Sequence, residues 1–238
     1  MYDLCIFAPL AWERAAVCAA PLDWRPTGTR RWEAKLPHGG TCVVVQTGVG
    51  PARARSAAEA APRARAMLVC GCAGGLVPEL AAGSIVVGES VCDLATAERF
   101  SLHTTLTPKS VSGLGLTVAT GCIATAVAAL GSPAAKREAA AAGAIAVDME
   151  SAAVARVAAA RNVPLAVLRV VLDTVNDLLP PETLIDGTSG SVRLGAAMAY
   201  FLPPGRWPAA IRMAARQRSA ERALRAVSRA VLSLAASC

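Results

Sequence analysis

Short, unbroken apolar runs alternate along the chain with alanine-rich stretches of helical character. Residues 2–8, 66–70, 84–94, 116–119, 144–147 and 164–172 read as strands. They are continuously apolar rather than alternating, as strands covered on both faces require. Residues 12–20, 51–65, 134–142 and 150–161 read as helices, the second with Pro51 near its first turn. Residues 32–36 and 41–47 read as an antiparallel pair joined by His38-Gly39-Gly40. Strands alternating with helices predict an α/β sandwich.

Beyond Leu179-Pro180-Pro181 the pattern changes. Residues 192–202 read as an apolar helix, which Pro203-Pro204-Gly205 breaks. Residues 208–234 then read as a basic amphipathic helix. Leu224, Val227, Val231 and Leu234 recur at helical spacing on one face, and Arg218, Arg222, Arg225 and Arg229 on another. The expected division is an α/β domain over 1–182 and a C-terminal helical extension over 183–238, packed on or docked near it.

Composition narrows the function classes. The chain is 54% hydrophobic and 17% charged, too apolar for intrinsic disorder. Its net charge is +7, but seven arginines between 206 and 229, against the single acid Glu221, carry +6 of it. The charge belongs to the C-terminal segment, and aromatics make up only 4% of the chain, so no nucleic-acid partner is expected. Cys5, Cys42, Cys70 and Cys92 sit inside apolar runs, as small buried hydrophobes do. With no basic leader segment at the start, a reduced, cytoplasmic setting is expected. His38 and His103 stand far apart and Cys70-Gly-Cys72 is not a C-x-x-C pair, so no metal site is expected. The uncharged stretch between Lys109 and Lys136 is long enough to cross a bilayer. Its glycine, serine, threonine and proline content reads instead as loop, strand and short helix.

Ligands of open α/β sheets bind beyond the carboxyl ends of strands. Carboxylates and glycine turns follow five of the expected strands: Glu13, Gly48-Val49-Gly50, Gly71 to Gly75, Asp148-Met149-Glu150, and Asp173. Each has a plain alternative. The glycines could form a tight turn, Asp173 a helix cap, Glu150 a first-turn acid and Glu13 a surface acid. Cys72 reads more simply as a shielded thiol than as a nucleophile. Arg14, Arg53 and Arg55 read as solvated helix-surface charges. Three acids at three strand ends weaken the combined alternative.

Taken together, these segments resemble the nucleoside phosphorylase and methylthioadenosine/S-adenosylhomocysteine nucleosidase superfamily. The resemblance rests on Thr47-Gly48-Val49-Gly50, Gly71-Cys72-Ala73-Gly74-Gly75-Leu76 with the following 82–87, Val147-Asp148-Met149-Glu150-Ser151-Ala152-Ala153, and Arg169 through Asp173. It runs in order over residues 2–180. It implies a three-layer α/β/α sandwich with a mixed central sheet, working as a homodimer on a small nucleoside. Asp173 would protonate or hydrogen-bond N7 of a departing purine. Met149 and Glu150 would hold the ribose, Glu150 matching positive charge that develops on the sugar. Glu13 would activate water. Gly50, Cys72, Ala73 and Gly74 would line the substrate pocket. No cofactor is implied, with phosphate as the alternative co-substrate. The bacterial hexameric phosphorylases carry an arginine where this chain has Val69, and a serine where it has Cys72. Phosphate needs several charge-assisted donors, so water is favoured as nucleophile.

The C-terminal layout resembles one branch, associated with hopanoid biosynthesis, in which adenine is removed from adenosylhopane. A nucleoside-lipid substrate would account for residues 206–234 as a peripheral contact with anionic membrane. The alternatives are a soluble methylthioadenosine or S-adenosylhomocysteine substrate, and a nucleoside-binding protein without turnover.

Overall fold

The computed structural model describes residues 1–37, 39–102, 109, 111–179, 195, 200, 202–203, 205 and 207–234. His38, His103 and most of the apolar helix expected over 192–202 lie outside them. The strands are β1 (Tyr2–Ala8), β2 (Arg25–Gly28), β3 (Arg31–Lys35), β4 (Thr41–Gln46), β5 (Ala64–Gly75), β6 (Ile85–Asp93), β7 (Arg99–Ser101), β8 (Val118–Thr125), β9 (Ala144–Asp148) and β10 (Leu165–Asp173). The helices are α1 (Ala11–Val17), α2 (Pro51–Ala60), α3 (Pro133–Ala140), α4 (Ser151–Ala160) and α5 (Trp207–Leu234). No helix among the described residues is long and apolar enough to cross a membrane.

The strands form one mixed sheet in the order β10-β6-β8-β9-β5-β1-β4-β3-β2, with β7 on β6. An extra parallel pairing of β10 with β5 closes the first five of these strands into a ring. The period of two along β1 divides the core. Cys5 and Phe7 face the cluster holding α2 and α4, while Leu4, Ile6 and Ala8 face the one holding α1 and α5. This is the mixed-sheet α/β arrangement expected from the sequence.

The elements depart from expectation in informative places. The helix expected to run to residue 65 stops at Ala60, because Pro62 follows and Ala64 already opens β5. The glycine run 71–75 does not follow a strand: it is the C-terminal half of a 12-residue β5. Those residues stay extended because they are paired, with β10 on one side and β9 at Gly74 and Gly75. The strand expected over 116–119 lies at Val118–Thr125, where the parallel register with β6 supplies its hydrogen bonds. β2 and β7, short and mostly exposed, have no apolar signature to find.

Helix α5 has two unlike halves. Ala220, Ala223, Leu224, Val227, Val231 and Leu232 are buried against α1, β5 and β10. In the first half Trp207 is 57% and Ile211 70% exposed. Replacing Leu224, fully buried, with alanine should therefore lower the unfolding free energy by about 2–5 kcal/mol. Ile211→Ala should change it by no more than about 0.5 kcal/mol. Urea denaturation of both variants measures the contrast.

Candidate active site

Three segments distant in sequence meet where β5, β9 and β10 adjoin. Gly74 pairs with Asp173 on one side and with Val147 on the other. Glu13 reaches the same place from α1, which packs against β5. At their centre lies Arg169, fully buried in the middle of β10. A guanidinium without solvent must be paired, and it is. Its Nε donates to Asp148 Oδ2 at 2.8 Å, and one terminal nitrogen contacts Asp148 at 2.6 Å and Glu150 at 3.3 Å. Burial opposes the charge, but Asp148, Glu150 and Glu13 outweigh it and hold the guanidinium protonated.

Asp148 organises the entry to α4. Its Oδ1 accepts from the backbone N–H of Glu150 and of Ser151, at 3.2 and 3.1 Å, and from Thr125 Oγ1 at 2.8 Å. Thr125 Oγ1 in turn accepts from Ala152 N–H at 2.9 Å. Glu150 is thereby fixed at the N-cap of α4, one residue before the first turn where the plain reading put it, with its carboxylate turned inward. Its Oε1 accepts from Gly50 N–H at 3.0 Å. Gly50 holds a backbone φ of +97°, which only glycine adopts without strain, and through this bond the early glycine turn meets the segment 147–153. Burial raises the Glu150 carboxyl to about 7, opposed by Arg169 and helped by Asp148. Met149 is half-buried between these two acids.

Glu13 is not a surface acid. It lies in the first turn of α1, 2% exposed. Its Oε2 accepts from Leu10 N–H at 2.8 Å and its Oε1 from Cys72 N–H at 2.7 Å. Burial pushes the carboxyl above its ordinary range, while Arg169 and these two N–H groups pull it back. A Cβ built on Gly71 would lie 2.9 Å from Arg169 Nη1 and 3.0 Å from Glu13 Oε1, so both groups face the space over Gly71. Arg169 Nη1 has no hydrogen-bond partner among the described residues. Ala73 is buried in β5 and Cys72 half-buried beside it. Burial and Glu13 push the Cys72 thiol well above its ordinary value, which keeps it unreactive as a nucleophile.

Asp173 ends β10 and is 7% exposed. Its Oδ2 accepts from Lys136 Nζ, an ion pair with a lysine only 1% exposed. Burial raises the Asp173 carboxyl, Lys136 opposing it. The structure thus gathers Glu13, Gly50, Cys72, Ala73, Gly74, Met149, Glu150 and Asp173 around the C-terminal halves of β5 and β10. Arg14 differs from the solvated reading. Its guanidinium stacks on Trp32 at 4.0 Å, with Nε buried and unpartnered among the described residues. Arg55 pairs on the surface with Glu59.

Sequence reading singled out the segments that hold Asp148 and Arg169 but gave neither residue a role, and it passed over Lys136. Arg169 did carry a signal, being the one charge inside the apolar run 165–172, which in a buried strand demands partners. Lys136 had none, since its burial depends on how α3 docks.

A family model described as the phosphorylase superfamily matches residues 3–108 and 100–231. Among solved structures, the 5′-methylthioadenosine/S-adenosylhomocysteine nucleosidase of Neisseria meningitidis, in complex with methylthio-immucillin-A, superposes with a TM-score of 0.74. It is 18% identical, over 98% of this chain and 100% of that one. Futalosine hydrolase of Helicobacter pylori gives 0.71 at 17% identity, over 98% and 97%. The Campylobacter jejuni 5′-methylthioadenosine/S-adenosylhomocysteine nucleosidase gives 0.71 at 16%, over 100% of both. At these identities the likeness is one of fold. No curated protein matches the chain.

Glu150 offers a test of the site's electrostatics. Because its folded-state pKa of about 7 lies above the ordinary 4.5, the folded state holds this proton more tightly than the unfolded chain. The stability it contributes is full below about 4.5 and is lost as the pH rises through about 7. Glu150→Gln should remove that decline. Urea midpoints followed across this range should fall in the unaltered protein more steeply than in the variant.

Proposed function

The chain belongs to the phosphorylase superfamily, and on that footing we propose that it hydrolyses the N-glycosidic bond of a 5′-substituted adenosine, releasing adenine. The observation that carries this is that Glu13 Oε1 and Arg169 Nη1, the latter unpartnered among the described residues, both lie over Gly71. A buried base beside a buried donor suits one water molecule. The absence of an arginine at Val69 argues against a phosphate dianion, which needs several charged donors.

In the reaction Asp173 gives its proton to N7 as the electron pair of the C1′–N9 bond passes to the base. Its raised pKa favours the protonated form that a general acid needs. Glu150, as the carboxylate, faces the cationic ribosyl group. Glu13 takes a proton from water while the water oxygen bonds to C1′. The products are adenine and the 5′-substituted ribose. No cofactor enters.

The 5′-substituent we assign is a polycyclic lipid, as in adenosylhopane, and the site of membrane contact is the first half of α5. The later apolar face, Leu224 to Val231, is spent on the core and is not free for lipid. Trp207, Ile211 and Met213 are exposed beside the exposed Arg212 and Arg218, and the half-buried Arg216. Exposed apolar side chains among arginines on one helical segment suit an anionic bilayer surface.

Purified protein incubated with adenosylhopane in phosphate-free buffer should release adenine, followed by chromatography. Asp173→Asn and Glu13→Gln should each slow release by about 10²–10⁴-fold. Release only after phosphate is added would sink the hydrolytic reading. Inertness toward both adenosylhopane and 5′-methylthioadenosine would favour binding without turnover.

Vesicles containing phosphatidylglycerol should sediment the protein, and Trp207→Ala with Ile211→Ser should weaken this. Equal sedimentation with neutral vesicles would remove the electrostatic part of the assignment.

A further inference from the structure

We propose that Lys136 is the positioning residue for Asp173, its ammonium fixing one carboxyl oxygen and leaving the other for the departing base. The proposal rests on the reading of Asp173 as general acid given above.

Lys136 is among the most thoroughly buried side chains of the protein. An ammonium in such a place is costly unless every donor is met. One donor goes to Asp173 Oδ2, a second to the carbonyl oxygen of Thr174 at 2.7 Å, and a long third to that of Asp177 at 3.5 Å. All three therefore serve the proton donor and the turn directly after it. The helix that carries Lys136 is itself anchored. Ser132 Oγ caps it by accepting from Ala135 N–H at 3.2 Å, and Ala139, one turn on, is buried with Lys136 against the sheet.

Asp173 needs such a holder because it is the last residue of β10, just past the register shift after Val171 that interrupts the ladder with β5. The turn is clamped from the far side as well. Asp177 Oδ2 accepts from Thr174 N–H at 2.7 Å and from Thr174 Oγ1 at 2.8 Å. It also pairs with Arg216 of α5 at 2.6 Å. Among the described residues, Asp173 Oδ1 makes no hydrogen bond, so the two oxygens have separate duties. The charges facing Asp173 are Lys136 from α3, Asp177 from the turn and, beyond it, Arg216 from α5. Burial would raise Asp177, but Thr174 and Arg216 outweigh it and hold that carboxyl below its ordinary range, whereas burial moves Asp173 the other way.

A buried ion pair can be merely structural, so the test must separate the two roles. The full-length protein is assayed with 5′-methylthioadenosine, whose adenine leaves with a proton, and with 4-nitrophenyl β-D-ribofuranoside, whose phenolate leaves without one. Lys136→Met should lower kcat on the first by at least about tenfold at nearly constant KM, and on the second by less than about threefold. Lys136→Arg should restore most of the loss. Removing the cation lets burial raise the Asp173 carboxyl further, so the basic limb of the methylthioadenosine profile should move to higher pH in Lys136→Met but not in Lys136→Arg. Lys136→Gln, which keeps a donor without the charge, provides the comparison should the methionine variant not fold.

Equal losses on both substrates, or an unmoved basic limb, would overturn the positioning role. An Asp173→Asn variant equally slow on both, or no turnover by the wild type of these two substrates or of adenosylhopane, would instead overturn the reading of Asp173 and this proposal with it. Selective loss in Asp173→Asn without selective loss in Lys136→Met would overturn the positioning role alone.

Discussion

A guanidinium with no access to water, in the middle of a β-strand, is the constraint around which the rest of the site is arranged. Arg169 cannot shed its charge, so the fold must bring acids to it. Asp148 and Glu150 come from the turn between β9 and α4, and Glu13 from α1 on the other side of the sheet. Each acid is in turn bonded to backbone N–H groups: Asp148 to the start of α4, Glu150 to the Gly50 turn and Glu13 to β5. One cation therefore ties helix starts and strand middles into a single unit. That unit leaves one donor, Nη1, unpartnered among the described residues, near Glu13 Oε1, which Cys72 N–H already holds.

This arrangement is possible only because β5 is long and rich in glycine. Its first half pairs with β1, β10 runs beside it from Met67 to Gly74, and its last two residues pair with β9. The closure of β10 on β5 converts a row of strands into a ring, which sets the ends of β9 and β10 next to each other. At Gly71 any larger residue would collide with Arg169 and Glu13 together. The glycines thus serve close approach between protein groups as much as approach to a ligand.

Helix α5 shows how one charge pattern can cover two jobs. Its later half closes the apolar side of the sheet over β5 and β10, with its arginines outward. Its earlier half projects apolar residues outward and, through Arg216, also grips the turn that follows Asp173. An event at the exposed half is thereby three bonded contacts away from the proposed proton donor, Arg216 to Asp177, Asp177 to Lys136 and Lys136 to Asp173.

The order of strands and helices, the buried cysteines and the two-faced C-terminal helix were legible in the sequence, because apolar periodicity records which faces are covered. Gly50, Cys72, Gly74, Glu13, Glu150 and Asp173 were also legible as a set, since acids and glycines interrupt apolar runs where a strand or its continuation meets the site. Other features were decided by tertiary structure. Whether residues 71–75 are turn or strand depends on partners from β9 and β10, which no local window contains. Lys136 looks like any lysine of an alanine-rich helix until α3 docks with that side inward. The buried charge of Arg169 was visible as an anomaly, but its partners were not, because the residues that neutralise it lie at 13, 148 and 150 and meet only once the sheet has closed.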